Sequence, residues 1–239
     1  MRAIIAHSMN KRNIIFALLI TIALAVATAI IDATDFRSWL VFVSVAAAVW
    51  SAFLYGEGKW YAFVFEIVSY GMYIYFCIVM LFYGELALSV IVIIVSVVSL
   101  IKWKKNTNDE KRVVAQRLSV KELLLVAAAC VIGSLLLWWL FYVVDGGLPL
   151  LNGMGVMLLL AGMYLAYRIS KWQFIPQIFY GLVLVALWVI SAVQGAPLGF
   201  ALFAVGGVID IVLYSLAFRK WHNKAKAEGT PPPPKQKTQ

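Results

Sequence analysis

The feature that most constrains this chain is a series of apolar runs, each close to the roughly 20 residues an α-helix needs to cross a bilayer. Read in order they predict eight spans, over about 14–31, 38–55, 61–82, 86–101, 123–144, 151–167, 173–193 and 197–218. Runs of this length exclude an outer-membrane barrel, whose strands alternate over about ten residues. Of the 239 residues, 64% are hydrophobic and 13% charged, which no soluble domain matches. The expected class is an all-α integral membrane protein.

A net charge of +9 suggests a nucleic-acid partner until its placement is considered. Nineteen of the twenty Lys and Arg fall on one side of the predicted spans. They are Arg2, Lys11, Arg12, Lys59, Arg168 and Lys171, the seven of 102–121 and the six beyond 218. The other side receives Arg37 alone, together with Asp32, Asp35, Glu85 and Asp145. This asymmetry predicts that both termini and the basic loops are cytoplasmic, and it supports an even number of spans. The charge answers to lipid headgroups, and no nucleic-acid partner is expected. Lys11 and Arg12 precede an apolar run with Ala27-Thr28-Ala29, as in a signal peptide, but the run is too long, so an uncleaved helix is expected. The Pro- and Lys-rich tail "AEGTPPPPKQKTQ" is expected to be disordered.

Two stretches resemble each other: "KWYAFVFEIVSYGMYIYF" (59–76) and "KWQFIPQIFYGLVLVALW" (171–188). Both open on Lys-Trp, place a polar residue five or six positions on, and continue to Tyr-Gly. Each is followed by a helix with a basic-aromatic end, "SLIKWKK" or "SLAFRKWHNK". The pattern predicts two three-helix repeats, helices 2–4 and 6–8, joined by helix 5, with helix 1 extra. Because helices 2 and 6 run the same way, the repeats are parallel, a recognised transporter plan with its site at mid-membrane. The expected divisions are 1–36 (N-terminus and extra helix), 37–105 (first repeat), 106–146 (basic loop and linker helix), 147–222 (second repeat) and 223–239 (tail).

Polar residues within the spans mark the candidate site. On helix 3, Glu66, Tyr70, Tyr73 and Cys77 share one face; on helix 7, Gln173, Gln177, Tyr180, Leu184, Trp188 and Ser191 do. Asp210 and Tyr214 are one turn apart on helix 8. At 1.5 Å per residue, Glu66 and Asp210 lie about 9 and 12 Å in from the same side. A carboxylate in a transmembrane helix costs about 2.5–3.5 kcal/mol and should face a wet cavity or a partner. No Lys or Arg occurs within the spans to pair with either acid. Burial as a neutral acid hydrogen-bonded to a neighbouring helix is the structural alternative. Trp60, Trp103, Trp172 and Trp221 read as interfacial anchors, and Trp50 as anchor or site residue. Aromatic faces with a carboxylate suit a flat aromatic cation carrying hydroxyls.

Enzymatic chemistry finds no support. His7 and His222 both lie outside the spans, and HExxH, GxSxG and phosphate-loop spacings are absent. Cys77 and Cys130 sit in apolar runs with no metal-ligand spacing, and no cofactor is expected.

The three-plus-one-plus-three order, the aromatic third and seventh helices, and the Trp after a basic residue at helix ends resemble the PnuC family of bacterial vitamin transporters, over about residues 35–222. The family commonly has a second Trp at the start of the seventh helix, where this chain has Ile175, with Gln177 as the nearest amide. The resemblance implies a SWEET-like fold in the bacterial inner membrane. It also implies facilitated diffusion of nicotinamide riboside, trapped by phosphorylation in the cytoplasm. Thiamine or another vitamin, with proton coupling through Glu66, is the alternative, and a homo-oligomer stays open. The substrate-binding set so expected is Trp50, Glu66, Tyr70, Tyr73, Asn152, Gln177, Tyr180, Trp188, Asp210 and Tyr214. Asn152 enters through the resemblance alone.

Overall fold

The computed structural model describes residues 11–79, 83–107, 113, 115–144, 148–195 and 201–227. Among them are eight α-helices: α1 (Lys11–Asp32), α2 (Phe36–Gly56), α3 (Ala62–Val79), α4 (Tyr83–Lys105), α5 (Val120–Val143), α6 (Pro149–Tyr167), α7 (Phe174–Val193) and α8 (Ala201–Ala227). All but α3 are long and apolar enough to cross a membrane; α3 contributes the shorter apolar stretch Ala62–Phe76. The expected end of that span, at 80–82, lies outside the described residues, as does the tail from Glu228.

Local chemistry accounts for several helix ends. The carboxylate of Asp35 accepts from the Arg37 N–H at 2.9 Å and caps α2. Ser119 accepts from the Glu122 N–H at 3.1 Å, so "SVKE" starts α5 as a capping-box sequence. Pro149 opens α6, where its missing N–H costs nothing.

The ends of α2 and α6 are closed in the same way. Lys59 donates to Leu54 O and Gly58 to Tyr55 O, both at 3.0 Å. In the second copy Ser170 donates to Leu165 O at 3.0 Å and Ile169 to Ala166 O at 2.8 Å. Each is a Schellman-type turn around a left-handed residue, Gly58 (φ 68°) or Ile169 (φ 55°). The backbone therefore pairs Gly58 with Ile169, Phe63 with Phe174 and Glu66 with Gln177. Aligning the two Lys-Trp dipeptides, as the sequence invites, is one residue out of this register: Trp60 answers to Lys171.

Packing shows how the repeats join. Within each repeat the helices pack in series, α2 on α3 on α4 and α6 on α7 on α8. Between repeats, α2 packs on α8 and α4 on α6, so the first helix of each meets the last helix of the other. That crosswise contact is what an approximate two-fold axis along the membrane normal produces. Trp103, near the end of α4, donates its indole N–H to Ala166 O of α6 at 2.7 Å. Trp221 of α8 donates to Gly56 O of α2 at 3.2 Å. Both rings are buried, correcting their reading as interfacial anchors. Helix α5 has no buried residue and packs on α6, while α1 packs on α2.

Small residues bring α7 and α8 together. A Cβ on Gly181 would lie 3.1 Å from Gly207 O, and one on Gly207 3.1 Å from Gly181 O. Such reciprocal approach of backbones is how helices associate where lipid removes the hydrophobic drive.

Candidate functional site

A cavity of about 70 Å³ lies between the two repeats. Helix α2 contributes Ser44, Val45 and Ala48 to its wall, and α3 contributes Ser69, Tyr70 and Tyr73. Across it stand Tyr180 and Leu184 of α7 and Phe203, Gly206 and Asp210 of α8. The lining holds five hydroxyl-bearing side chains, one carboxylate and no cation. Four of the ten residues expected from sequence meet here: Tyr70, Tyr73, Tyr180 and Asp210.

Asp210 is the unusual member. Its Oδ1 is buried and has no hydrogen-bond partner among the described residues. A buried carboxylate oxygen without a donor is costly and rare. Ser44 donates to Ser69 O at 3.0 Å, joining α2 to α3 beside the cavity and leaving the Ser69 hydroxyl on its wall. Tyr70 and Tyr180 interact through their hydroxyls from opposite walls.

Aromatic rings stand on either side. Phe203 stacks on Trp188 (4.8 Å between centroids, 26°) and meets Tyr73 edge-on at 5.4 Å and Phe76 at 6.1 Å. Beyond Asp210, toward the basic end of the bundle, Phe63 is edge-on to Trp103 at 5.1 Å and Phe174 to Trp221 at 5.4 Å. The two indoles lie 5.9 Å apart, between the repeats.

The other six expected residues are placed elsewhere. Glu66 is buried and accepts from the Tyr55 hydroxyl at 2.7 Å and the Ser96 hydroxyl at 2.6 Å. Its donors come from α2 and α4, so it ties the first repeat together outside the cavity wall. Gln177, its counterpart, is buried against α6, where Gly162 makes room: a Cβ there would lie 2.8 Å from the amide nitrogen. Trp50 donates to Thr21 Oγ1 at 3.0 Å and stacks on Phe65, which docks α1. Tyr214 rests on Phe174 among the rings of the basic end, and Trp188 supports Phe203 from behind. Asn152 is in the first turn of α6 and outside the cavity wall. The side chain of Cys77 is outside the described residues.

Sequence reasoning missed Ser44, Ser69, Phe203 and Gly206. Serines inside spans offered a faint signal. Gly206 offered less, since its role is to let Val45 approach: a Cβ there would meet Val45 Cγ1 at 2.9 Å.

No curated protein matches the chain in sequence. Among solved structures, the fold is similar to the crystal structure of the vitamin B3 transporter PnuC, with a TM-score of 0.77 and 21% sequence identity, over 92% of this chain and 94% of that one. At that identity the likeness speaks for the fold. The family is carried by sequence: residues 38–223 match the nicotinamide mononucleotide transporter family, and the chain belongs to it.

Proposed function

We propose that this membrane transporter carries nicotinamide riboside by facilitated diffusion, through a site at mid-membrane between the repeats, into the bacterial cytoplasm. The basic end is the cytoplasmic side, with both termini there, because nineteen of twenty cations gather on it. Phosphorylation of the riboside inside the cell then makes uptake one-way. One observation carries the substrate: the unpartnered Asp210 Oδ1 at a cavity rich in hydroxyls and aromatic rings. A pyridinium supplies the opposite charge, a ribose supplies hydrogen-bond donors, and the tyrosines supply faces for the ring.

The same lining argues against a phosphorylated form. A mononucleotide brings two negative charges to a site with a carboxylate and no lining cation. Desolvating a phosphate there has no compensation. At about 70 Å³ the cavity is also smaller than the roughly 300 Å³ of a small-ligand pocket, so the halves must part to admit a nucleoside. Glu66, held by Tyr55 and Ser96 away from the cavity, is poorly placed to carry a proton across, which favours uncoupled transport.

Calorimetry on the purified protein with nicotinamide riboside, nicotinamide mononucleotide, nicotinamide and thiamine tests the reading. The riboside should bind, and the mononucleotide at least about tenfold more weakly. Asp210→Asn should weaken riboside binding by about 30-fold or more while the protein stays monodisperse. Preference for thiamine or the mononucleotide, or unchanged binding by Asp210→Asn, would refute it. Proteoliposomes without ion gradients should fill to equal concentration and no further.

A further inference from the structure

Val113 and Gln116, between α4 and α5, bond to both repeats at the basic end of the bundle. The Val113 N–H donates to Gly58 O at 3.0 Å, and the Gln116 N–H donates to Ile169 O at 2.9 Å. Gly58 and Ile169 are the two left-handed residues that close α2 and α6, equivalent positions in the two halves. One short piece of chain is thus tied to the same point on each. Val113 is buried with Trp103 and Trp221 in the main core. The two indole-to-carbonyl bonds and the Lys220–Glu57 ion pair (2.5 Å) join the halves at the same end.

We propose that Val113 and Gln116 form a backbone latch that holds the basic end closed and must release on one side before the site opens there. The reason is reach. Three residues span at most about 10 Å when fully extended, so the latch cannot follow two turns that move apart. Each bond contributes modestly and is replaced by one to water on release, which suits a reversible closure. Because the donors are main-chain groups, no side-chain motif announces them. The latch concerns how the halves part and holds for any solute carried.

The test uses full-length protein in which Cys77 and Cys130 are replaced and Ala217→Cys is introduced. Ala217 is buried at the α2–α8 seam, its Cβ 3.1 Å from where a Cβ on Gly56 would lie. Val113→Pro and Gln116→Pro each remove one donor. Labelling of that cysteine by a water-soluble maleimide should be about fivefold faster in either variant, the population change that follows loss of one such bond. Equal labelling rates would overturn the latch. Hydrogen exchange on the unsubstituted chain guards against a folding defect of the proline variants. The amides of Val113 and Gln116 should exchange far sooner than those in the middle of α2. Protection as lasting as that of α2 would also overturn it.

Discussion

From the turn that ends α2 the first half runs Gly58, Phe63, Glu66, Ser69; from the turn that ends α6 the second runs Ile169, Phe174, Gln177, Tyr180. The first pair keeps its backbone conformation and the second keeps its complete burial. The third exchanges an acid for an amide, and the fourth a small hydroxyl for a phenol. On the last helices, aligned through Trp103 and Trp221, Asp210 answers to the buried Val92. The turn residue's conformation and the buried phenylalanine are kept, and the polar positions differ. The proposed solute, with a charged ring at one end and a sugar at the other, has no two-fold symmetry, so identical halves could not both fit it. The neighbours adjust accordingly. Ser44 of α2 bonds to Ser69, whereas its counterpart on α6 is Gly155, which lies beside the Tyr180 ring. The phenol packs beside Gly155 while its hydroxyl meets Tyr70.

The comparison breaks most visibly at the Glu66 and Gln177 pair. Glu66→Ala leaves the Tyr55 and Ser96 hydroxyls buried without an acceptor, at a cost of about 3 kcal/mol, whereas Glu66→Gln retains an acceptor and most of the stability. Gln177→Ala leaves only a void beside Gly162, worth about 1 kcal/mol. Unfolding in detergent micelles ranks the three, and a Gln177→Ala loss as large as that of Glu66→Ala would erase the distinction. Next comes the contrast between glycine and serine contacts. Gly181→Ala drives a Cβ to 2.8 Å from Ile211 Cγ1 and to 3.1 Å from Gly207 O, destabilising by about 2 kcal/mol. Ser44→Ala loses one interhelical hydrogen bond, about 0.6 kcal/mol. The same unfolding assay sharpens the comparison if Gly181→Ala is the worse. The last contrast is at the turns. Gly58→Ala forces an L side chain to φ 68° and costs about 1 kcal/mol, with Gly58→Asn costing less because Asn tolerates that region. Ile169 already carries this strain at φ 55°, held there by complete burial. Equal thermal midpoints for Gly58→Ala and the parent would show the first turn to be looser than the second.

Part of the candidate site was legible because a polar atom in a long apolar run stands out. Asp210, Tyr70, Tyr73 and Tyr180 were visible for that reason, and all four line the cavity. Glu66 stood out equally, yet its partners Tyr55 and Ser96 are neutral residues on other helices that nothing in the sequence links to it. Trp50 and Trp188 were visible as aromatics, but whether an indole faces a cavity, a neighbouring helix or lipid depends on how its helix is rotated. Ser44, Phe203 and Gly206 line the wall while looking like ordinary packing residues.

The sequence alone determined the helices, their alternating direction and the existence of two parallel copies. Length, hydropathy and cation placement act on each segment separately, since the bilayer imposes the same requirement on every span. The tertiary structure decided the rest. It set the register of the repeat through two main-chain turns, turned Glu66 away from the cavity and Asp210 toward it, and tied both halves to Val113 and Gln116. Those outcomes depend on rotation about helix axes and on contacts between residues far apart in the chain. Backbone groups make several of them, and every residue but proline carries the same pair.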